Sequence, residues 1–430
     1  MSKRDGKGCQ EYEGLSRRNF LGWSAGAFAA AMVPGWLPRV VMAQDESSSR
    51  DVLVSLFLRG GADALTLCVP HGEEHYYSLR PNLAVPRPDA MAADRAIDLD
   101  GFFGLPPALQ PLHEAYQDGK LALVHACGLP DTTRSHFDAM HMMEVGMEDP
   151  PASLISGWLG RHLQATAPTV ADGFLRAVGI GSGLARTLAG GPKTLPIGDL
   201  ETFGFAGDPG TFEQRQAAFE AMYAAVPDPL GSSARNTFGT IELLEQIEFE
   251  SYQPAGGAVY PAGEFGTALR STAALIKAEV GVEAISIDLG GWDTHEAQGP
   301  LSGQMAVLMA ELGQGLAAFH QDMFTGGFDN VILVAMSEFG RNAIENGSAG
   351  TDHGHGGAML LLGGAVNGGR VISEWPGLAP EQLYQNQDLR ITLDYRDILT
   401  EILTERLDNP DFRTVFSDSS YTPQTWGIVS

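Results

Sequence analysis

Residues 51–63 read DVLVSLFLRGGAD: an unbroken apolar run that stops at a glycine pair and an aspartate. A strand with one wet face alternates apolar and polar residues. A run apolar at nearly every position belongs to a strand buried on both faces, as parallel sheets are. Four further segments repeat the pattern: 120–127 (KLALVHAC), 283–289 (EAISIDL), 330–336 (NVILVAM) and 358–362 (AMLLL). Between them lie stretches with helical spacing at 137–146 (after an N-cap at Ser135), 266–280, 302–324 and 395–407. Alternation of this kind predicts an α/β fold with a mostly parallel sheet covered on both faces. Residues from about 195 to 262 hold glycines, prolines and helical fragments but no strong strand, and read as an insertion or cap.

The polar residues at the strand ends matter more for function. Asp63 ends the first strand, and Arg134, Ser135 and His136 come after the second. Asp293 and His295 come after the third, and Glu338 and Arg341 after the fourth. Asp352, His353 and His355 lie in the glycine-rich loop GTDHGHGG that enters the fifth. Ligands of parallel α/β sheets bind beyond the carboxyl ends of the strands, so pairing these strands would gather the clusters on one rim. Carboxylates and imidazoles together are donors for a divalent metal, and such a set would hold two closely spaced ions well. Ser135, at a helix start beside Arg134, reads either as an N-cap or as a metal-activated nucleophile, with Thr132 and Thr133 as alternatives. Glu338 and Arg341 fit either an internal ion pair or direct substrate contact.

The chain has 430 residues and 53 Asp+Glu against 27 Lys+Arg, a net charge of −26. That acidity excludes a general nucleic-acid binder. Residues 1–43 have the order of an export signal: Arg17-Arg18 before Phe20-Leu21, a small-residue apolar stretch broken by Pro34 and Pro38, then Val41-Met42-Ala43. The arginine pair marks the twin-arginine address, implying the twin-arginine translocase as a partner during export and a periplasmic or secreted destination. The apolar stretch is too short for a membrane span. Residues 44–430 would then form the working domain. Cys68 and Cys127 fit either buried free thiols or one disulfide.

Six ordered motifs carry a family resemblance: RGGAD (59–63), RSHF (134–137), GWLGR (157–161), GWDTH (291–295), SEFGR (337–341) and GTDHG (350–354). With them the chain resembles the twin-arginine-exported domain-of-unknown-function family 1501, which in turn resembles the alkaline phosphatase superfamily of phosphatases, sulfatases and cofactor-independent phosphoglycerate mutases. The resemblance implies a three-layer α/β/α sandwich and a hydrolase of phosphate or sulfate esters with a two-metal site. The metals would be zinc, manganese or calcium. Asp63, Asp293, His295, Asp352, His353 and His355 would be ligands, with His136 or Glu338 completing the set. Ser135 would be the nucleophile, and Arg134 or Arg341 would hold the ester oxygens. The final histidine of the superfamily pattern falls on His355, unusually close to Asp352-His353. The frame that sulfatases convert to formylglycine needs an arginine where this chain, at 68–72 (CVPHG), has Gly72. The substrate itself is left open, small molecule or polymer. A non-catalytic envelope protein with a structural metal is the alternative.

Overall fold

A computed structural model describes residues 50–430, apart from 172, 182, 205, 206 and 248. The export signal expected over residues 1–43 lies outside the described residues. One nine-stranded sheet organises the chain. Its strands are β1 (Val52–Leu58), β2 (Leu121–Gly128), β3 (Ala177–Ile180), β4 (Thr194–Ile197), β5 (Ala284–Leu289), β6 (Val331–Met336), β7 (Gly357–Gly363), β8 (Arg370–Ile372) and β9 (Leu393–Asp394). They run in the order β8-β2-β7-β6-β1-β5-β3-β4, and β9 also pairs with β2.

Every pairing is parallel except those of β7, which is antiparallel to β2 and β6. All seven residues of β1 are buried, as its unbroken apolar run requires. Its side chains divide between two cores. Val52, Val54, Leu56 and Leu58 pack with helices α5 (Glu264–Lys277) and α6 (Gln304–Thr325), whereas Leu53 and Phe57 pack with α2 (Trp158–Ala165) and α7 (Tyr395–Glu405). The molecule is therefore a three-layer α/β/α sandwich with a mostly parallel sheet.

The reversed direction of β7 positions the site. Ala335 of β6 pairs with Leu360, and Cys127 of β2 with Gly357, so β7 begins where β2 and β6 end. The Asp352–His355 loop thus enters at the rim on which β1, β2, β5 and β6 finish. Helix α1 (His136–Val145) starts there too, capped by Ser135, and ends on Gly146 in the left-handed region.

Beyond β4, helices α3 (Phe212–Tyr223) and α4 (Leu230–Glu245) share a small apolar cluster of Tyr223, Ala234 and Phe238. This is the stretch read as an insertion or cap. Cys68 and Cys127 are free, buried thiols. Among the described residues no helix is long and apolar enough to cross a membrane.

Two histidines are buried in the neutral form. His125 donates from Nε2 to the Cys68 carbonyl and accepts the Ala126 N–H at Nδ1, and His162 Nδ1 meets the Asn409 amide at 3.1 Å. Burial pushes His125 down to about 4 and His162 to about 3. Both folded values lie below the unfolded value of ~6.5, so the unfolded chain takes up protons first as pH falls. The stability they confer is complete above ~6.5 and lost as pH falls toward the folded values. Between pH 7.5 and 5, His125 alone should cost about 2 kcal/mol. Urea titrations of wild type and His125→Gln at both pH values test this. The variant should lose less stability on acidification, and equal losses would refute the assignment.

Candidate metal centre

The loops after β1, β5 and β6, the start of α1 and the loop before β7 meet at one point. Backbone contacts fix the loops before any side chain acts. Arg341 and His353 form an antiparallel bridge, Asn342 N–H donates to the Asp352 carbonyl, and Thr351 N–H to that of Thr294. Two glycines are required by this packing. A Cβ on Gly354 would lie 2.3 Å from the Arg341 carbonyl carbon. Gly60, at φ +122, passes so close to Asp293 that a Cβ would stand 2.7 Å from its backbone nitrogen.

Three imidazoles converge on Asp293. His295 Nε2 lies 3.0 Å from Asp293 Oδ1, His353 Nε2 3.1 Å and His136 Nε2 3.4 Å. His295 Nε2 and His353 Nε2 are 2.9 Å apart, and the rings of His136 and His353 meet edge to face at 4.2 Å. Phe339 flanks both of the latter rings, at 4.9 and 5.1 Å.

The outer nitrogens decide the protonation. His353 Nδ1 faces the Arg134 carbonyl at 2.8 Å, which can only accept, so Nδ1 carries the proton. His295 Nδ1 faces Asp352 Oδ1 at 2.9 Å, and His136 Nδ1 faces Glu338 Oε1 at 2.7 Å. His353 therefore presents a bare Nε2 lone pair inward, next to a carboxylate oxygen, and the neutral Nδ1–H forms of His295 and His136 present theirs in the same direction. His136 Nε2 is buried and has no hydrogen-bond partner among the described residues: its approach to Asp293 has the distance but not the angle of a hydrogen bond. Arg341 reaches two of these four acceptors, with Nη2 at 2.6 Å from Asp293 Oδ1 and Nη1 at 3.5 Å from His295 Nε2, and a cation would meet the remaining two, His136 Nε2 and His353 Nε2. Metal-binding histidines are held in this same way, by an acceptor behind the distal nitrogen. His136, Asp293 and His353 offer ligand atoms within 4.8 Å of one another, and they are the one such group among the described residues. On donor type, protonation and an orphaned buried nitrogen, the residues fit a divalent metal.

Electrostatics agree. Burial works to raise the Asp293 pKa, but the Arg341 guanidinium, 2.6 Å away, outweighs it and holds the carboxyl down to about 2. Burial lowers His353 and keeps it neutral. The hydrogen bond from His295 holds Asp352 below the ordinary carboxylate range. Asp293 and His295 keep side-chain exposures of 48% and 39%, so the centre opens to solvent on their side.

The profile of the family described as "Protein of unknown function (DUF1501)" matches residues 127–409. The chain belongs to that family. The matched span of this DUF1501 chain holds the whole convergent cluster. No curated protein matches it. Solved structures similar to it include a protein in the alkaline phosphatase superfamily from Vibrio parahaemolyticus, at 10% identity and TM-score 0.33 over 83% of this chain. This chain spans just under two thirds, 66%, of that protein. Ps i-CgsB in complex with k-i-k-neocarrahexaose aligns at 10% identity and TM-score 0.37, covering 85% of this chain and 74% of that one. Alkaline phosphatase from the Antarctic bacterium TAB5 aligns at 10% identity and TM-score 0.34, covering 84% and 99%.

The remaining residues singled out in the sequence sit around the DUF1501 centre in other ways. Asp63 is fully buried against Arg80, with Arg80 Nη1 at 2.5 Å and Nη2 at 2.9 Å, and also accepts from Thr66 and Gln298. Glu338 stands behind His136 and accepts from Gly60 N–H and Ser337 Oγ. Asp352 stands behind His295 and accepts from Asn346. Arg341 is buried, and its N–H groups go to the carbonyls of Gly60, Gly61, Trp292 and Thr351 and to Asp293. Arg134 turns its guanidinium to Asp388 and Gln385, and meets the centre only through its carbonyl. His355 stacks on Tyr384 at 4.3 Å, and burial with Arg134 nearby pushes it down to about 4. Ser135 caps α1, accepting from Asp138 N–H at a long 3.4 Å. Two contributors had no sequence signal of their own: Arg80, and the carbonyl of Arg134.

Proposed function

We propose that this protein is an exported metal-dependent hydrolase of phosphate or sulfate esters. The observation that carries the reading is the inward convergence of three oriented Nε2 atoms on Asp293. A bound divalent cation would polarise an ester oxygen. The chain's own residues would do the rest. His136, His353 and Asp293 hold the ion, and Glu338 and the Arg134 carbonyl aim the two rings. Ser135 sits on the residue before His136, at the positive end of a ten-residue helix, where an incoming anion is favoured. In its cap bond Oγ is the acceptor, so the hydroxyl proton is not engaged there and can be given up, which suits a nucleophile. The Asp352–His295 pair, whose Nε2 faces the same cluster and whose side chains stay partly exposed, would receive and return that proton.

Loading the purified protein with zinc or manganese and assaying aryl phosphates and aryl sulfates tests the reading. Turnover should vanish on chelation and return with the ion. Ser135→Ala should fall to background while its ion content stays unchanged. A folded protein that binds ion yet turns over neither ester class would favour the second reading, a non-catalytic protein with a structural metal. Three imidazoles and a carboxylate can close a tetrahedral shell, which is the observation behind that alternative.

A further inference from the structure

Resting on the metal-dependent reading above, we propose that the centre takes one late first-row divalent ion, and that buried Arg341 supplies the fixed positive charge a second ion would otherwise bring. The first argument is ligand supply. A second ion 3.5–4 Å or so from the first needs donors of its own. Asp63 is the carboxylate that could serve it from the end of β1, but its oxygens already accept four hydrogen bonds, from Arg80 twice and from Thr66 and Gln298. Three of these converge on Oδ2 and one on Oδ1, and the carboxylate is wholly buried with its charge already matched by Arg80, so it is not offered to a metal. His355 is stacked against Tyr384 and joins no ligand group, and Glu338 is engaged by His136, Gly60 and Ser337.

The second argument is charge. Arg341 Nη2 lies 2.6 Å from the same Asp293 Oδ1 on which the imidazoles converge. Four backbone carbonyls pin the guanidinium there, so it neither moves aside nor loses its charge. A second dication beside Asp293 would add its charge to that of Arg341 and of the first ion, and the nearest remaining carboxylate, Asp352, is turned to His295 and Asn346 through Oδ1. The third argument is donor type. Two imidazole nitrogens and one carboxylate oxygen, those of His136, His353 and Asp293, favour ions of the zinc type over calcium or magnesium, which prefer all-oxygen shells.

Titrating metal-free wild-type protein with cobalt(II), followed by its visible spectrum, tests the proposal, with elemental analysis of the zinc-loaded protein beside it. Both should give one equivalent per chain, and a large excess of calcium should not displace the cobalt. Asp63→Asn should keep one equivalent and the same spectrum. Two equivalents in wild type, or displacement by calcium, would overturn the proposal and leave the metal-dependent reading standing. No binding at all would overturn both. The wild-type titration decides the matter even where Asp63→Asn folds poorly.

Discussion

Replacing His353 by alanine should weaken ion binding more than any other single change at the centre. Residues that merely stand behind a ligand are worth roughly 10–100-fold in affinity. In the proposed centre His353 would be a ligand itself, and its ring touches Asp293 and His295 at 3.1 and 2.9 Å and meets the His136 ring at 4.2 Å, so its loss should exceed ~100-fold. Glu338→Gln, which alters only the acceptor behind His136, should fall within the smaller range. Stability gives a readout independent of turnover. With zinc at 100 times the wild-type dissociation constant, wild type should gain about 2.7 kcal/mol, whereas a variant binding 100-fold more weakly should gain only ~0.4 kcal/mol. Urea denaturation with and without zinc measures both. Equal gains in wild type and His353→Ala would remove His353 from the ligand set.

That experiment turns on a distinction invisible in the sequence. Asp352 and His353 are neighbours and read as a ligand pair, but the bridge between Arg341 and His353 alternates their directions: His353 points into the centre, and Asp352 reaches round to His295. Strand ends were legible because burial on both faces leaves an unbroken apolar run, as in β1 and β6. β3 and β4 were not, because four residues each, AVGI and TLPI, with a glycine or proline inside, carry too little pattern. The common rim was legible from the polar clusters at the strand ends. Which carboxylates face the centre was not, since that depends on partners supplied from elsewhere in the chain. Arg80 is the sharpest case. It sits in YYSLRPNL, which looks like a polar surface turn, yet it is completely buried against Asp63.

Removing Arg80 should therefore produce the largest loss of stability. Asp63 and Arg80 have side-chain exposures of 1% and 0%. Arg80 also donates to the carbonyls of Asn342 and Ala343, so it ties the β1 loop to the segment after Arg341. Deleting one partner of a buried pair strands the other charge, at a cost of about 3–5 kcal/mol. Arg80→Leu should be destabilised by that amount at neutral pH. The pH dependence identifies the cause. Burial works to raise the Asp63 pKa, and Arg80, Thr66 and Gln298 reverse it, so in wild type the carboxyl titrates below its ordinary range. A depressed folded pKa means the pair stabilises the protein above the unfolded value of ~3.9 and stops doing so as pH falls through the folded one. In Arg80→Leu burial acts without its main opponent, and the folded pKa moves above ~3.9 instead. The variant's deficit should then shrink as pH is lowered toward 4, because Asp63 enters the core as a neutral acid. Denaturant titrations of the two proteins from pH 7.5 down to 4.5 measure that convergence. The Asp63→Asn/Arg80→Leu double variant, carrying no buried charge at this position, should recover part of the loss at neutral pH. A deficit independent of pH, with no recovery in the double variant, would mean that Arg80 acts through packing and its two backbone bonds, and not through the charge of Asp63.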